Sequence, residues 1–405
     1  MCYYTLEMNL KLLTYNRKLQ VFFFLIFIFF SHIQAQRTYP ETYDGDSIFA
    51  LGKKAFDNNE YVKAESHFST IFRSDPLYES ARFERMLSLA YMDKGDVILK
   101  EMDSLYVAGE INSNPDMLLL YGSYLSNDSN YVKALELFTK VEKMVPNSSV
   151  LLYNMGLLHY RMKSLQKSVD YLKLSITHNP SHISSHYLLG LICLDEGKVA
   201  EGTLALLSCL LNQPQSAIAR DIIAKLNVKM SVYYDNTPTI TTSEVGDDFT
   251  ELTTILQNQL ALNPKYKLKA SIDDIFTRQV QAVIEYADSH IMGDGFFEYM
   301  YIPWMKQIAL RNQTEALIYF YLQEYRETLG KKLTSKDKMV AALNENYLQN
   351  DIWTYFGKRK LMHFGKKEEV MIFLDNSWPS LIGKVVNNEY EGLFLKINKH
   401  GQKLG

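Results

Sequence analysis

Gly122, Gly156 and Gly190 stand 34 residues apart, and Pro146, Pro180 and Pro214 keep the same interval. A fixed period of this length restricts the fold more than any composition figure does. Each unit is too short to bury an apolar face alone, so the units must stack on their neighbours into one continuous core. Gly52 and Pro76 repeat the 24-residue glycine-to-proline spacing, 70 residues before Gly122 and Pro146. That distance is two periods plus two residues, which leaves room for one divergent unit carrying a two-residue insertion.

The texture inside the units is also regular. "NNEYVKAESHF" (58–68) and "DSNYVKALELF" (128–138) are nearly superimposable. Each has a polar break, then Tyr61 or Tyr131, Ala64 or Ala134, and Phe68 or Phe138. The alanine and phenylalanine are four apart, on one face of a helix. The break separates two amphipathic helices, A and B, and the proline ends the second. Small residues in both helices allow close backbone approach. In "LLYNMGLLHY" (151–160), Gly156 is therefore expected where helix B of its own repeat packs closest.

These features resemble the tetratricopeptide repeat family, over about residues 45–216. The resemblance implies five repeats, at 45–78, 81–114, 115–148, 149–182 and 183–216. The second is divergent, with Ser88 in place of the glycine and Lys100 in place of the alanine. It also implies a mainly α fold, an α-solenoid whose concave surface is lined by helix A through three positions four and three residues apart. On this chain the apolar members of that row are Phe49 and Phe56, Leu89 and Met92, Leu119, Tyr153, Leu157 and Tyr160, and Tyr187, Leu191 and Leu194, and all of these but Leu119 are read as partner-binding. The basic clamp with which some family members hold a carboxylate terminus has no counterpart in the row. The expected partner is a protein or peptide segment that is apolar, or the chain's own C-terminal segment.

Segment 217–233 reads as a helix capping the last repeat, and "YDNTPTITTSEVGDD" (234–248) as a linker. Beyond it, in 249–405, the period disappears. Helices are expected at 249–264, at 271–290 with Ser271 as N-cap, at 303–330 with Pro303 in its first turn and Gly330 as its stop, and at 335–351. The last fifty residues, with "VMIFLDN" and "GKVVNNEYEGLFLKIN", suggest short strands and a hairpin, so the C-terminal domain is read as helical with a small strand segment at its end. "NNEYEGLFLKINKHG" is similar, over one unit, to a MORN-type repeat.

At the N-terminus, Arg17-Lys18 precede "VFFFLIFIFF" and then "SHIQAQ". A basic flank, a short apolar run and a small residue form the order of a secretory signal, here residues 1–35 with cleavage after Ala35, followed by a short linker 36–44. The protein is therefore expected to be exported, to the periplasm or cell envelope. Membrane association is expected only if the apolar segment is retained. The net charge of −3 and the lack of a basic block argue against nucleic acid.

Chemistry is sparse. Cys193 and Cys209 follow the signal, too few for a disulfide framework, and are read as buried hydrophobes. His178, His182 and His186 lie close in sequence but lack further ligands, so no metal and no cofactor is expected. The five aromatics of "FFEYMYIPW" (296–304) are read as core rather than as a stacking surface. Asp288, Asp294 and Glu298 are read as solvated carboxylates. No catalytic motif is found, and the chain is read as a non-enzymatic scaffold. The alternative is a C-terminal domain that binds a ligand or catalyses a reaction, with the repeats as its docking arm.

Overall fold

The computed structural model describes residues 43–211, 214–229, 243, 246–257, 263–291 and 295–348, and the backbone of four strands between 359 and 396. Residues 1–35, read above as a signal, and most of the 234–248 span lie outside the described residues. The chain divides into two compact units, 1–101 and 102–405.

Unit 1 holds α1 (Gly45–Asp57), α2 (Tyr61–Ser69), α3 (Tyr78–Tyr91) and the start of α4 (Gly95–Val107). Unit 2 continues with α5 (Pro115–Asn127), α6 (Tyr131–Met144), α7 (Ser149–Arg161), α8 (Leu165–His178), α9 (Ile183–Asp195) and α10 (Val199–Leu210). Within each unit successive helices pair and pack in series, the arrangement of an α-solenoid. Side-chain caps start three of the A helices: the Asp44 carboxylate accepts from Ser47 N, Asn114 Oδ1 accepts from Asp116 N and Met117 N beside Pro115, and Ser148 Oγ accepts from Leu151 N.

The turn between helices A and B is built the same way in every repeat. Asn59, Asp93, Ser129, Lys163 and Gly197 all have positive φ, between 56° and 79°. The next residue returns its N–H five residues back, as in Glu60 N to Ala55 O at 2.8 Å and Lys198 N to Cys193 O at 2.8 Å. This is the Schellman turn, which satisfies carbonyls that a helix end otherwise leaves open.

These turns correct the register of the second repeat. Asn59 to Asp93 is 34 residues and Asp93 to Ser129 is 36, so the insertion follows Asp93 instead of preceding α3. Met86 and Ile98, both 0% exposed, occupy the places assigned to Ser88 and Lys100. Leu89 falls on the core position shared by Ala55, Leu125, His159 and Cys193, all buried. Met92 is the C-cap of α3.

The glycines sit where the two helices of a repeat cross. A Cβ on Gly52 would lie 2.6 Å from Phe68, on Gly122 2.5 Å from Phe138, on Gly156 2.9 Å from Leu172, and on Gly190 2.6 Å from Leu206. Each partner is sixteen residues on, so one spacing defines every crossing.

α11 (Ala217–Lys229) follows the last repeat as expected. α12 (Thr250–Gln257), α13 (Ile275–Ser289), α14 (Phe296–Leu310) and α15 (Thr314–Tyr321) build the C-terminal region. A 3-10 turn (Leu322–Tyr325), α16 (Arg326–Leu329), α17 (Lys331–Thr334), α18 (Asp337–Leu343) and a π-type turn (Asn344–Leu348) complete it. Two expectations are corrected. The N-cap of α13 is Asp274, which accepts from Thr277 N at 2.7 Å, while Ser271 hydrogen-bonds Tyr319 Oη. The single helix expected at 303–330 is broken, because α14 begins at Phe296 and a positive-φ turn at Asn312 separates it from α15. Pro303 lies inside α14, where it has no N–H to offer the Tyr299 carbonyl. Gly330, with φ 48°, ends α16 as expected.

The C-terminal strands β1 (Arg359–His363), β2 (Lys366–Asp375), β3 (Trp378–Val386) and β4 (Glu389–Lys396) form an antiparallel sheet in the order β1-β2-β3-β4. The expected hairpin is β3–β4, with Val386 opposite Glu389.

All twelve residues of α10 are buried. α9 covers one side, and α12 and α14 pack on the same helix. Tyr321 Oη donates to Leu207 O at 3.0 Å, and Arg220 pairs with Glu324 at 2.6 Å. The aromatic run 296–304 is core: Phe297, Tyr301 and Trp304 are each 0% exposed. Cys193 and Cys209 are buried free thiols.

Candidate functional site

In unit 2, hydrogen bonds between residues about one repeat apart join α5 to α7 and α9 to α11. Ser123 Oγ donates to Asn154 Oδ1 at 3.0 Å, Arg161 Nη1 donates to Ser126 Oγ at 2.8 Å, and Tyr187 Oη donates to Asp221 at 2.7 Å. In unit 1, Lys53 and Glu84 make the corresponding pair at 3.0 Å. The sequence separations of 31 to 35 are close to one repeat, and these rungs tie α1 to α3, α5 to α7 and α9 to α11.

Between the rungs of unit 2 lies the apolar row. Tyr153, Leu157, Tyr187 and Leu191 are half-buried, and Tyr160 is 37% exposed. The Tyr153 ring tilts against His182, with centroids 5.2 Å apart. Burial raises the Tyr153 hydroxyl above its usual range, and burial with the Asp221 hydrogen bond pushes Tyr187 up to about 12, so both stay neutral hydrogen-bonding groups at physiological pH. Leu194 does not join them. It is 3% exposed and packs over Gly202, where a Cβ would lie 2.7 Å from it. Leu89 is also 3% exposed, for the register reason given above.

Unit 1 carries Phe49 tilted on Phe68 at 5.5 Å, and Phe56 edge-on to both Tyr61 and Tyr91. Tyr61 and Tyr91 stack at 4.8 Å, with Tyr91 62% exposed. Neither tyrosine was in the expected row. The recurrence of Tyr61 and Tyr131 two residues after the positive-φ position is the signal that marks this rim.

The histidine cluster is structural. His186 is fully buried, with Nδ1 2.9 Å from Tyr301 Oη and Nε2 2.7 Å from Pro180 O. A carbonyl can only accept, so Nε2 carries the proton and Nδ1 accepts from the tyrosine. Burial lowers the His186 pKa to about 4, which keeps the ring neutral. Both nitrogens are used, and the ring ties α9 to α14. Lys173 of α8 lies over the rings of Phe296 and Phe297 at 5.4 and 5.3 Å. These anchor points between the repeats and the C-terminal helices fall on α8, α10, α11 and the buried side of α9.

A second polar constellation starts α14. Asp247 Oδ1 accepts from Glu298 N at 2.8 Å, and Glu298 Oε1 accepts from Asp248 N at 2.9 Å. The two segments thus exchange hydrogen bonds as a capping box does, across about fifty residues of chain. A Cβ on Gly295 would lie 2.1 Å from Asp247 Oδ1, so only glycine fits there. Glu298, read from sequence as solvated, is 2% exposed, and His290 Nε2 lies 3.5 Å from it. Burial first, then the Glu298 charge, raises Asp247 to about 7, although backbone hydrogen bonds and Lys173 oppose the rise. Asp247 and Asp248, taken as the end of a linker, are part of this fold.

No helix among the described residues is long and apolar enough to cross a membrane. No protein-family model and no curated protein matches the chain. Among solved structures it is similar to one described as "MamA RS-1 ArsTM double mutant", at 14% identity and a TM-score of 0.33, over 41% of this chain and 92% of that one.

Proposed function

We propose that the chain is an exported, non-enzymatic scaffold of tetratricopeptide type, and that the A-helix face of unit 2 binds an apolar protein segment in the cell envelope. The observation that carries this reading is the placement of Tyr153, Leu157 and Tyr160 on α7 and of Tyr187 and Leu191 on α9, two successive A helices, all partly exposed. Tyrosines of this kind offer rigid apolar area with a polar tip, which suits a protein interface. Ser175 Oγ of α8 donates to Ser149 O of α7 at 2.7 Å and lies 2.7 Å from Ser185 Oγ of α9, which ties the two helices together through α8.

The test places a photo-crosslinking residue at Tyr160 in the full chain and looks for adducts in the native envelope fraction. Tyr153→Ala with Tyr187→Ala is expected to abolish the adducts. Tyr160→Ser is expected to weaken capture in a pull-down without changing the melting midpoint. Undiminished capture by folded variants would rule this face out. Export is tested separately, by an N-terminal sequence starting at Gln36.

A further inference from the structure

A cavity of about 520 Å³ lies among the C-terminal helices, a size that admits a small ligand. Part of its wall is apolar. Leu211 after α10, Phe320 on α15 and Leu348 in the π-type turn line it, each less than a tenth exposed, with Val340 of α18 beside them.

The polar part is already tied together. Arg326 Nη1 and Nη2 donate to the Asp337 carboxylate at 3.0 and 2.6 Å, and Nη2 also donates to Gln323 Oε1 at 2.7 Å. Gln323 Nε2 donates in turn to Tyr319 O at 2.8 Å. The charges of this wall are paired with each other, so an ionic ligand meets no unpaired counter-charge. Asn344 and Gln215 differ from it. Both line the cavity, Gln215 exposed at its mouth and Asn344 half-buried, and neither carboxamide is tied to another described residue. Asn344 opens the π-type turn and Leu348 closes it, so the turn brings one amide and one apolar side chain to the same cavity. Such turns often occur where a helix supplies a site.

We infer that this cavity binds a neutral, amide-bearing ligand with one compact apolar group, the chemistry of an apolar residue within a peptide or of a small capped amino acid. The ligand's amide pairs with the Asn344 and Gln215 carboxamides, each of which both donates and accepts. Its apolar group packs on Phe320, Leu348 and Val340. A charged ligand loses its hydration without gaining a partner charge.

The test uses the full chain and three probes in calorimetric titration: N-acetyl-leucine methylamide, N-acetyl-leucine and leucine methylamide. The neutral probe is expected to bind saturably and at least tenfold more tightly than the anionic or cationic one. Ala341→Trp, which fills the cavity from α18, is expected to abolish binding, and Asn344→Ala to weaken it at least fivefold, with melting midpoints unchanged. The Tyr153→Ala, Tyr187→Ala variant is expected to bind as the unsubstituted chain does. The inference is overturned if the neutral probe shows no saturable binding up to ~10 mM. Equal binding by both cavity variants overturns it too, as does tighter binding of the anion, which would make Arg326 the recognising group.

Discussion

Replacing Asp247 by Asn should change how stability depends on pH, and the direction follows from the geometry. The folded carboxyl titrates near 7 against an ordinary 3.8. An unfolded chain releases this proton as pH rises through 4, while the folded chain holds it until about 7. The folded state therefore binds more protons over that interval, and stability falls as pH rises through it. At ~1.4 kcal/mol per decade, the loss between pH 5 and the folded pKa is roughly 3 kcal/mol. Histidine works against this. His186, lowered to about 4, with His159 and His182 also lowered, gives stability that is present above the ordinary histidine value of 6.5 and lost as pH falls. The raw pH profile mixes the two slopes, so the informative quantity is the difference between the parent and Asp247→Asn. Asparagine keeps the acceptor for Glu298 N and removes only the titration. Melting midpoints of both proteins, followed by circular dichroism from pH 5 to 8, should show the parent losing about 5–10 °C relative to the variant. A difference that stays constant to within ~2 °C would refute the argument.

Two further outcomes are expected. Tyr301→Phe leaves His186 Nδ1 buried without a donor and should cost about 1–3 kcal/mol in denaturant unfolding; no loss would mean that α14 is not held there. Gly122→Ala should destabilise by about 1–3 kcal/mol, because its Cβ meets the fully buried Phe138 ring at 2.5 Å. Gly156→Ala should cost less, since Leu172 is approached only to 2.9 Å and can change rotamer; the reverse order would count against the crossing geometry.

The repeats were legible because their contacts are short in sequence. Gly156 meets Leu172 sixteen residues on, and a recurring spacing exposes such a contact without knowledge of the fold. The second repeat was misread because Met86 and Ile98 replace the small residues that mark the register, and only the positive φ of Asp93 restores it. That shift is why Leu89 is core and Met92 a cap. The C-terminal region was much less legible. Its ordering contacts, His186 with Tyr301 and Asp247 with Glu298, join residues 115 and 51 apart with no repeated spacing to reveal them. Glu298 reads as an ordinary surface carboxylate until the partner segment is in place. The cavity likewise brings Leu211 and Leu348, far apart in sequence, into one lining, which no local pattern encodes.

The burial of α10 on every side also has a consequence in time. Leu210 is synthesised 100 residues before Leu310, the end of the helix that helps to cover it. At ~5–20 residues per second, a helix this apolar waits roughly 5–20 s for its cover. The last repeat is therefore the segment most in need of a holding chaperone while the protein is being made.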